Sequence, residues 1–273
     1  MSYKICFSIT CHECPECVED QFEKFAILAP NSCAVFHLGV VNGEEFKNKV
    51  INLLSKYPQA YINPTQYDQC WADGRIVNSH ISNFNYALDN FDFEYFWLDS
   101  SNSLLVNKGA EDHVGKFDYG ANISEINESC EWPWADKARE DEELIKLIHK
   151  FGPGAKIFAG QHEGLFAKKE IFNDIFGRIS EFFPFNATNY PREETFIQSC
   201  IGNLYMTNLK KSKAGCLMWA GHDAIQSAID RNYDWLDANG VYSIKRIPRN
   251  INNIVRKSIS NSIRAETTAV IQN

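Results

Sequence analysis

Two charged stretches, about fifty residues apart, carry the residue types of a group-transfer site. Tyr190-Pro-Arg-Glu-Glu-Thr-Phe-Ile-Gln-Ser-Cys200 puts Glu193 and Glu194 at the head of an otherwise apolar, helically spaced run, and Lys245-Arg-Ile-Pro-Arg249 gathers three cations. A carboxylate in a first helical turn is held as the anion by the helix dipole, and a rigid element fixes its distance from a substrate, which suits a general base. Lys245, Arg246 and Arg249 suit the complementary task of neutralising a departing phosphate. The structural alternative for the acidic pair is ordinary capping chemistry.

The elements that must position these groups read as α/β. Tyr3–Thr10 has the pattern of a buried strand, Val18–Leu28 has helical apolar spacing, and Ala34–Leu38 is the next strand. Strand, helix and strand at this spacing predict a right-handed parallel crossover, and open α/β sheets bind ligands beyond the carboxyl ends of their strands. His12, Glu13, His37 and Gly39 fall at those ends, where a nucleotide would sit. Helices follow over Phe46–Leu54 and Ile76–Leu88, with strands at Tyr61–Asn63 and Tyr95–Leu98. The aromatic strand closes in the polar turn Asp99-Ser100-Ser101-Asn102, which reads either as a donor-contacting crevice or as a capped turn.

Residues 107–140, rich in Gly, Asp, Asn and Glu, predict a long loop over one face, with Trp132 and Trp134 in it. Asp141–Lys150 predicts a helix, Lys156–Ala159 a strand, and Gly160-Gln-His-Glu-Gly164 a turn leading into Leu165–Phe176. Leu217–Trp219 and Val241–Ile244 predict late strands. His162 and Glu163, in that turn, are candidate acceptor contacts, and Trp132 and Trp134 could stack on sugar faces or serve as packing anchors. For a metal, Asp92 with Glu94 precedes the aromatic strand, and Asp99 stands alone after it. Cys11, Cys14 and Cys17 have thiolate-ligand spacing without a fourth ligand at the expected offset. No metal site is therefore expected.

The chain of 273 residues, 44% hydrophobic and 13% aromatic, can bury a large core, and it has no run long enough to span a membrane. Nine cysteines, an odd number, suit reduced thiols. With a strand-like start and no cleavable leader, a cytoplasmic location is expected. The net charge is −8, yet Lys245, Arg246, Arg249, Arg256, Lys257 and Arg264 cluster near the end against Glu266 alone. An acidic body disfavours nucleic acid as a partner, whereas the basic segment fits one phosphorylated ligand, the inner face of an anionic membrane, or simply a solvated tail.

Taken in order, Ile5–Glu13, Trp71–Arg75, His80–Asn83, Phe91–Asn102, Arg192–Gln198 and Ser243–Arg249 resemble the core-2/I-branching glycosyltransferases and their bacterial relatives. The resemblance runs over nearly the whole chain through short motifs. It implies a GT-A-like (Rossmann-like) fold, with a mixed, mostly parallel sheet flanked by helices, in a single domain. Residues 1–105 would form the nucleotide-sugar-binding half, 106–257 the acceptor and catalytic half, and 258–273 a C-terminal tail.

The activity implied is inverting, metal-independent sugar transfer from a nucleotide sugar, expected to be a UDP-sugar, to a glycan or glycolipid acceptor in polysaccharide or glycoconjugate synthesis. Glu194 corresponds to the base and Lys245 to the diphosphate ligand, and the donor set comprises His12, Glu13, His37, Gly39, Arg75 and Asp99 to Asn102. Two departures stand out. The pair is Glu-Glu, which keeps Glu193 in contention, and His37-Leu-Gly39 occupies the place of an acidic nucleoside contact. A metal-dependent transferase using Asp92, Glu94 or Asp99, and a catalytically silent binding protein, remain as alternatives. The oligomeric state is open.

Overall fold

A computed structural model of the chain describes residues 2–11, 14–39, 43–68, 72, 74–218 and 221–271, with side chains up to residue 265. The first part alternates as β1 (Ser2–Cys11), α1 (Pro15–Leu28), β2 (Cys33–Leu38), α2 (Gly43–Leu54) and β3 (Ala60–Ile62). Helix α1 starts at Pro15, whose missing N–H costs nothing in a first turn, and it buries Val18, Phe22, Phe25 and Leu28 on one stripe. Next come α3 (Ile76–Asn90), β4 (Asp92–Ser100), β5 (Ser103–Leu105), α4 (Ala110–Val114), β6 (Tyr119–Glu125), α5 (Ala135–Glu140), α6 (Glu142–Lys150), β7 (Phe158–Lys168) and α7 (Lys169–Ile179). The last part holds α8 (Phe196–Leu204), β8 (Lys211–Ser212), β9 (Cys216–Leu217), α9 (His222–Asp230), α10 (Tyr233–Ala238), β10 (Ser243–Lys245) and α11 (Ile254–Ile271).

Seven strands form one sheet in the order β3-β2-β1-β4-β7-β6-β8. Its first four strands run parallel, and β7 runs antiparallel to both β4 and β6. A smaller sheet, β5-β10-β9, sits beside it. The chain is thus an α/β protein with a mostly parallel sheet flanked by helices, the arrangement of a Rossmann-like GT-A fold. The sheet is buried on both faces. Phe7 and Trp97 pack on one side with Phe22 and Phe25 of α1, while Cys6 and Phe96 pack on the other with Phe84 of α3 and Phe172 of α7. Parallel strands covered on both faces read as continuous apolar runs, which is how β1 and β4 appear in the sequence.

Several expected boundaries shift. Residues 107–140 are not one loop: they hold α4, β6 and α5. Strand β6 was hidden by its composition, Tyr-Gly-Ala-Asn-Ile-Ser-Glu, because only Tyr119 and Gly120 are buried and the rest alternates towards solvent. Gly160-Gln-His-Glu-Gly164 is not a turn but the interior of β7, which continues to Lys168 before α7 begins. Its glycines serve close approach: a Cβ on Gly160 would meet Asn122 O of β6 at 1.9 Å, and a Cβ on Gly164 (φ +78°) would meet Cys216 N at 2.3 Å. The acidic pair forms a short 3-10 turn, Arg192–Glu194, ahead of α8 rather than its first α-helical turn.

The C-terminal residues are helical in α11 through Ile271, and Ile259, Ser260 and Ile263 are buried against the body.

Candidate active site

The carboxyl ends of β1 and β4, the middle of β7, the end of β10 and the Arg192–Glu194 turn converge on a cavity of about 860 Å³. It is lined by Glu193, Glu194, Lys245, Arg246, Arg249, Ser100, Asn102, His162, Glu163, Trp132 and Trp134, all singled out from the sequence. Thr10, Ala72, Ile76, Pro133, Pro191, Met218, Ile247 and Pro248 complete the wall without having been singled out. Thr10 was legible in principle, since it ends a parallel strand. Met218, which faces the cavity from just beyond β9, left no comparable signal.

The acidic turn is held from behind. Arg192 reaches Asp141 through Nε (2.7 Å) and Nη2 (3.0 Å), and Tyr190 donates to the same carboxylate at 2.6 Å. Asp141 also caps α6 by accepting from the backbone N–H of Glu143 and Leu144. A planar guanidinium gripped by a carboxylate that is itself fixed leaves the following two residues little angular freedom. Glu194 consequently points into the cavity, where Trp132 Nε1 donates to its Oε2 at 3.3 Å. Burial pushes the Glu194 carboxyl up to about 7, against the opposing pull of the Trp132 hydrogen bond and the Arg246 charge.

The cationic side is fixed by strand pairing. Lys245 is opposite Ser103 in the β10–β5 ladder, and Arg246 donates its backbone N–H to Asn102 O at 3.1 Å, so the Asp99–Asn102 corner and the Lys245–Arg249 segment form one wall. Arg246 turns the chain with φ +69°, a conformation non-glycine residues rarely adopt, and Pro248 follows. Beneath this wall lies Glu163, 1% exposed, whose carboxylate pairs with Lys245 and with His162 Nε2 at 3.0 Å. His162 Nδ1 in turn stands 3.9 Å from Glu194 Oε1. The residues expected as acceptor contacts thus link the lysine to the Glu194 side of the cavity.

Other expected donor contacts stand back from it. Asp99 is fully buried, accepts from Ser100 N (2.8 Å) and Ser103 Oγ (2.7 Å), and burial raises its carboxyl to about 6. Ser101 is also buried and ties its N–H to Thr10 O. His37 accepts from Tyr67 N at 2.9 Å, and burial depresses its imidazole to about 4, so it sits neutral. Gly39 N donates to Cys11 O, and Arg75 pairs with Asp68 at 2.7 Å. None of these five lines the cavity. His12 and Glu13 lie outside the described residues.

Of the other acidic candidates, Asp92 pairs with Lys169 and Glu94 with Lys4 at the opposite end of β4. Cys11 and Cys17 are buried, and burial together with the neighbouring Cys14 thiol pushes the Cys17 thiol up to about 12. Among the described residues, no group of three or more His, Cys, Asp or Glu is arranged to hold a metal ion. No described helix is long and apolar enough to cross a membrane.

No family model matches the chain. Over 139 residues, 48% of its length, it is 26% identical to chondroitin synthase of Pasteurella multocida (strain Pm70). The match spans 13% of that protein. This similarity supports the glycosyltransferase class, and it does not single out the core-2/I-branching family.

Proposed function

We propose that the chain is an inverting glycosyltransferase, working without a metal ion, that moves a sugar from a nucleoside-diphosphate donor, a UDP-sugar in the first instance, to a hydroxyl of a glycan acceptor. The observation that carries this reading is Glu194, a carboxyl poised near pH 7 in the same cavity as Lys245, Arg246 and Arg249. A general base works best when its pKa lies near the operating pH. Glu194 takes the proton of the acceptor hydroxyl as the oxygen attacks the anomeric carbon. The bond from that carbon to the phosphate oxygen breaks, and its electron pair leaves with the nucleoside diphosphate. Lys245, with Arg246 and Arg249, stabilises the charge that develops there. A single displacement inverts the configuration.

The positions of the other acidic residues favour side-chain cations as the leaving-group stabilisers, since Asp92 and Glu94 are paired at the far end of β4 and Asp99 is sealed beneath the wall. Glu163 holds Lys245 towards the cavity, and Trp132 and Trp134 offer ring faces to the acceptor. The similarity to a chondroitin synthase is consistent with a glycan acceptor. The test is nucleotide release from UDP-, GDP-, dTDP- and CMP-sugars, with and without EDTA, by wild type and Glu194→Gln. Release from one donor, indifferent to EDTA and lost in the variant, is expected. Release abolished by EDTA, or undiminished in Glu194→Gln, would overturn the mechanism; donor binding without any release would make the chain a silent binding protein.

A further inference from the structure

A second cavity, of about 660 Å³, adjoins the first, and nothing in the proposed chemistry uses it. Trp132 lines both. Strand β7 also runs through both, with Ala159 and Gly160 in the groove and His162 and Glu163 in the catalytic cavity, a separation of ~7 Å at the usual strand rise. The groove follows the second half of β6, beyond Tyr119 and Gly120, where β8 pairs with that strand. Its walls carry amides and hydroxyls from Asn122, Ser124 and Ser129, with the Trp132 indole at the catalytic end. Two carboxylates, Glu125 and Glu131, belong to the lining, and none of the lining residues is basic.

The geometry points to this groove as a subsite for the acceptor: it would hold the further sugars of a neutral glycan chain whose terminal hydroxyl lies at Glu194. Dipolar amides and hydroxyls beside an aromatic face are the groups that recognise sugar hydroxyls and ring C–H surfaces. The Glu131 carboxylate, which makes no ion pair among the described residues, together with a lining that holds no cation, discriminates against sulfated or uronate-bearing chains, because like charges across an interface are costly; the nearby Arg139 guanidinium is engaged on Asn127 O. Glu125 is partly neutralised by Lys156 at 2.7 Å. The inference rests on the transferase reading.

It is tested on the full chain carrying Glu194→Gln, fluorescently labelled and saturated with UDP, on an array of neutral gluco- and galacto-oligosaccharides of increasing length and their sulfated counterparts. Affinity for neutral chains should rise by about tenfold or more with length. Adding Ser124→Trp, which blocks the exposed face of β6, should reduce long chains to the affinity of short ones while leaving UDP affinity unchanged. Adding Glu131→Lys should shift preference towards sulfated chains, which keeps the test decisive if the tryptophan variant folds poorly. Length-independent binding, a preference of the Glu194→Gln chain for sulfated glycans, or no glycan binding would each overturn the subsite. Nucleotide release by wild type is read separately, so a protein that turns over donor without length dependence loses only the groove.

Discussion

Glu194 and Glu193 are neighbours of identical chemistry, and their surroundings separate them. Glu193 is 2% exposed, whereas the Glu194 side chain is 22% exposed, at the cavity wall, with its carboxyl raised to about 7. Transfer should therefore be lost as the pH falls below about 7 and the base protonates, and the rate–pH profile checks this. Replacing Glu194 with Gln should lower turnover by roughly 10²–10⁴-fold with donor Kd nearly unchanged. The linkage to stability has the opposite sense to that of a salt-bridged acid. The folded state holds this proton more tightly than the unfolded chain does, so the contribution is fully present below the ordinary carboxyl value of 4.5 and is lost as pH rises through about 7. At pH 8 the Gln variant should be more stable than wild type by up to ~3 kcal/mol, a Tm gain of up to ~6–12 °C, with little difference at pH 4. Asp99, raised to about 6, behaves alike: Asp99→Asn keeps the Oδ1 acceptor and should raise Tm at pH 8.

Elements, rather than single residues, set the geometry of the acidic turn. A 3-10 turn of three residues has little rigidity of its own, and Asp141 at the head of α6 supplies it through Arg192. Arg192→Lys keeps the charge and loses the fork, so it should reduce kcat by about 10–10²-fold, with donor Kd little affected and Tm lowered only modestly. Steady-state transfer and donor titration on the variant check this; unchanged kcat would mean that the turn holds itself. The same elements explain what could be read in advance. Helix α1 and strands β1, β2 and β4 were legible because their apolar spacing matches one period throughout. Strand β6 and the middle of β7 were not, because glycine and asparagine there carry the signature of turns while serving a tight strand crossing.

Across the whole molecule, the two ends of the chain are locked together by charge. Asp20 of α1 accepts from Arg256 Nη1 (2.7 Å) and Ser260 Oγ (2.8 Å) of α11 and pairs with Lys24 (3.2 Å), and Arg256, Asp20 and Lys24 are all buried. Of the late basic cluster, Lys245, Arg246 and Arg249 face the cavity, Arg256 is in this clasp, and Arg264 pairs with Glu23. Asp20→Ala leaves the buried Arg256 guanidinium without its carboxylate, while Lys24 keeps Glu23 at 2.7 Å, and should cost ~3–5 kcal/mol; Arg256→Met, which leaves Asp20 its other partners, should cost less. Urea unfolding of both variants checks the order. Composition and apolar periodicity by themselves determined the α/β class, the parallel first half and the short list of acidic, basic and aromatic residues worth watching, because these properties are local and repeat along the chain. Tertiary structure alone decided which of those residues meet. His37, Asp99 and Arg75 looked as suitable as Ser100, Asn102 and Lys245, yet His37 is buried in β2, Asp99 is buried at the end of β4 and Arg75 is taken by Asp68, while the β5–β10 pairing brings the second group to one wall. Side-chain direction at a strand end depends on pairing with segments far away in sequence, and no local pattern records it.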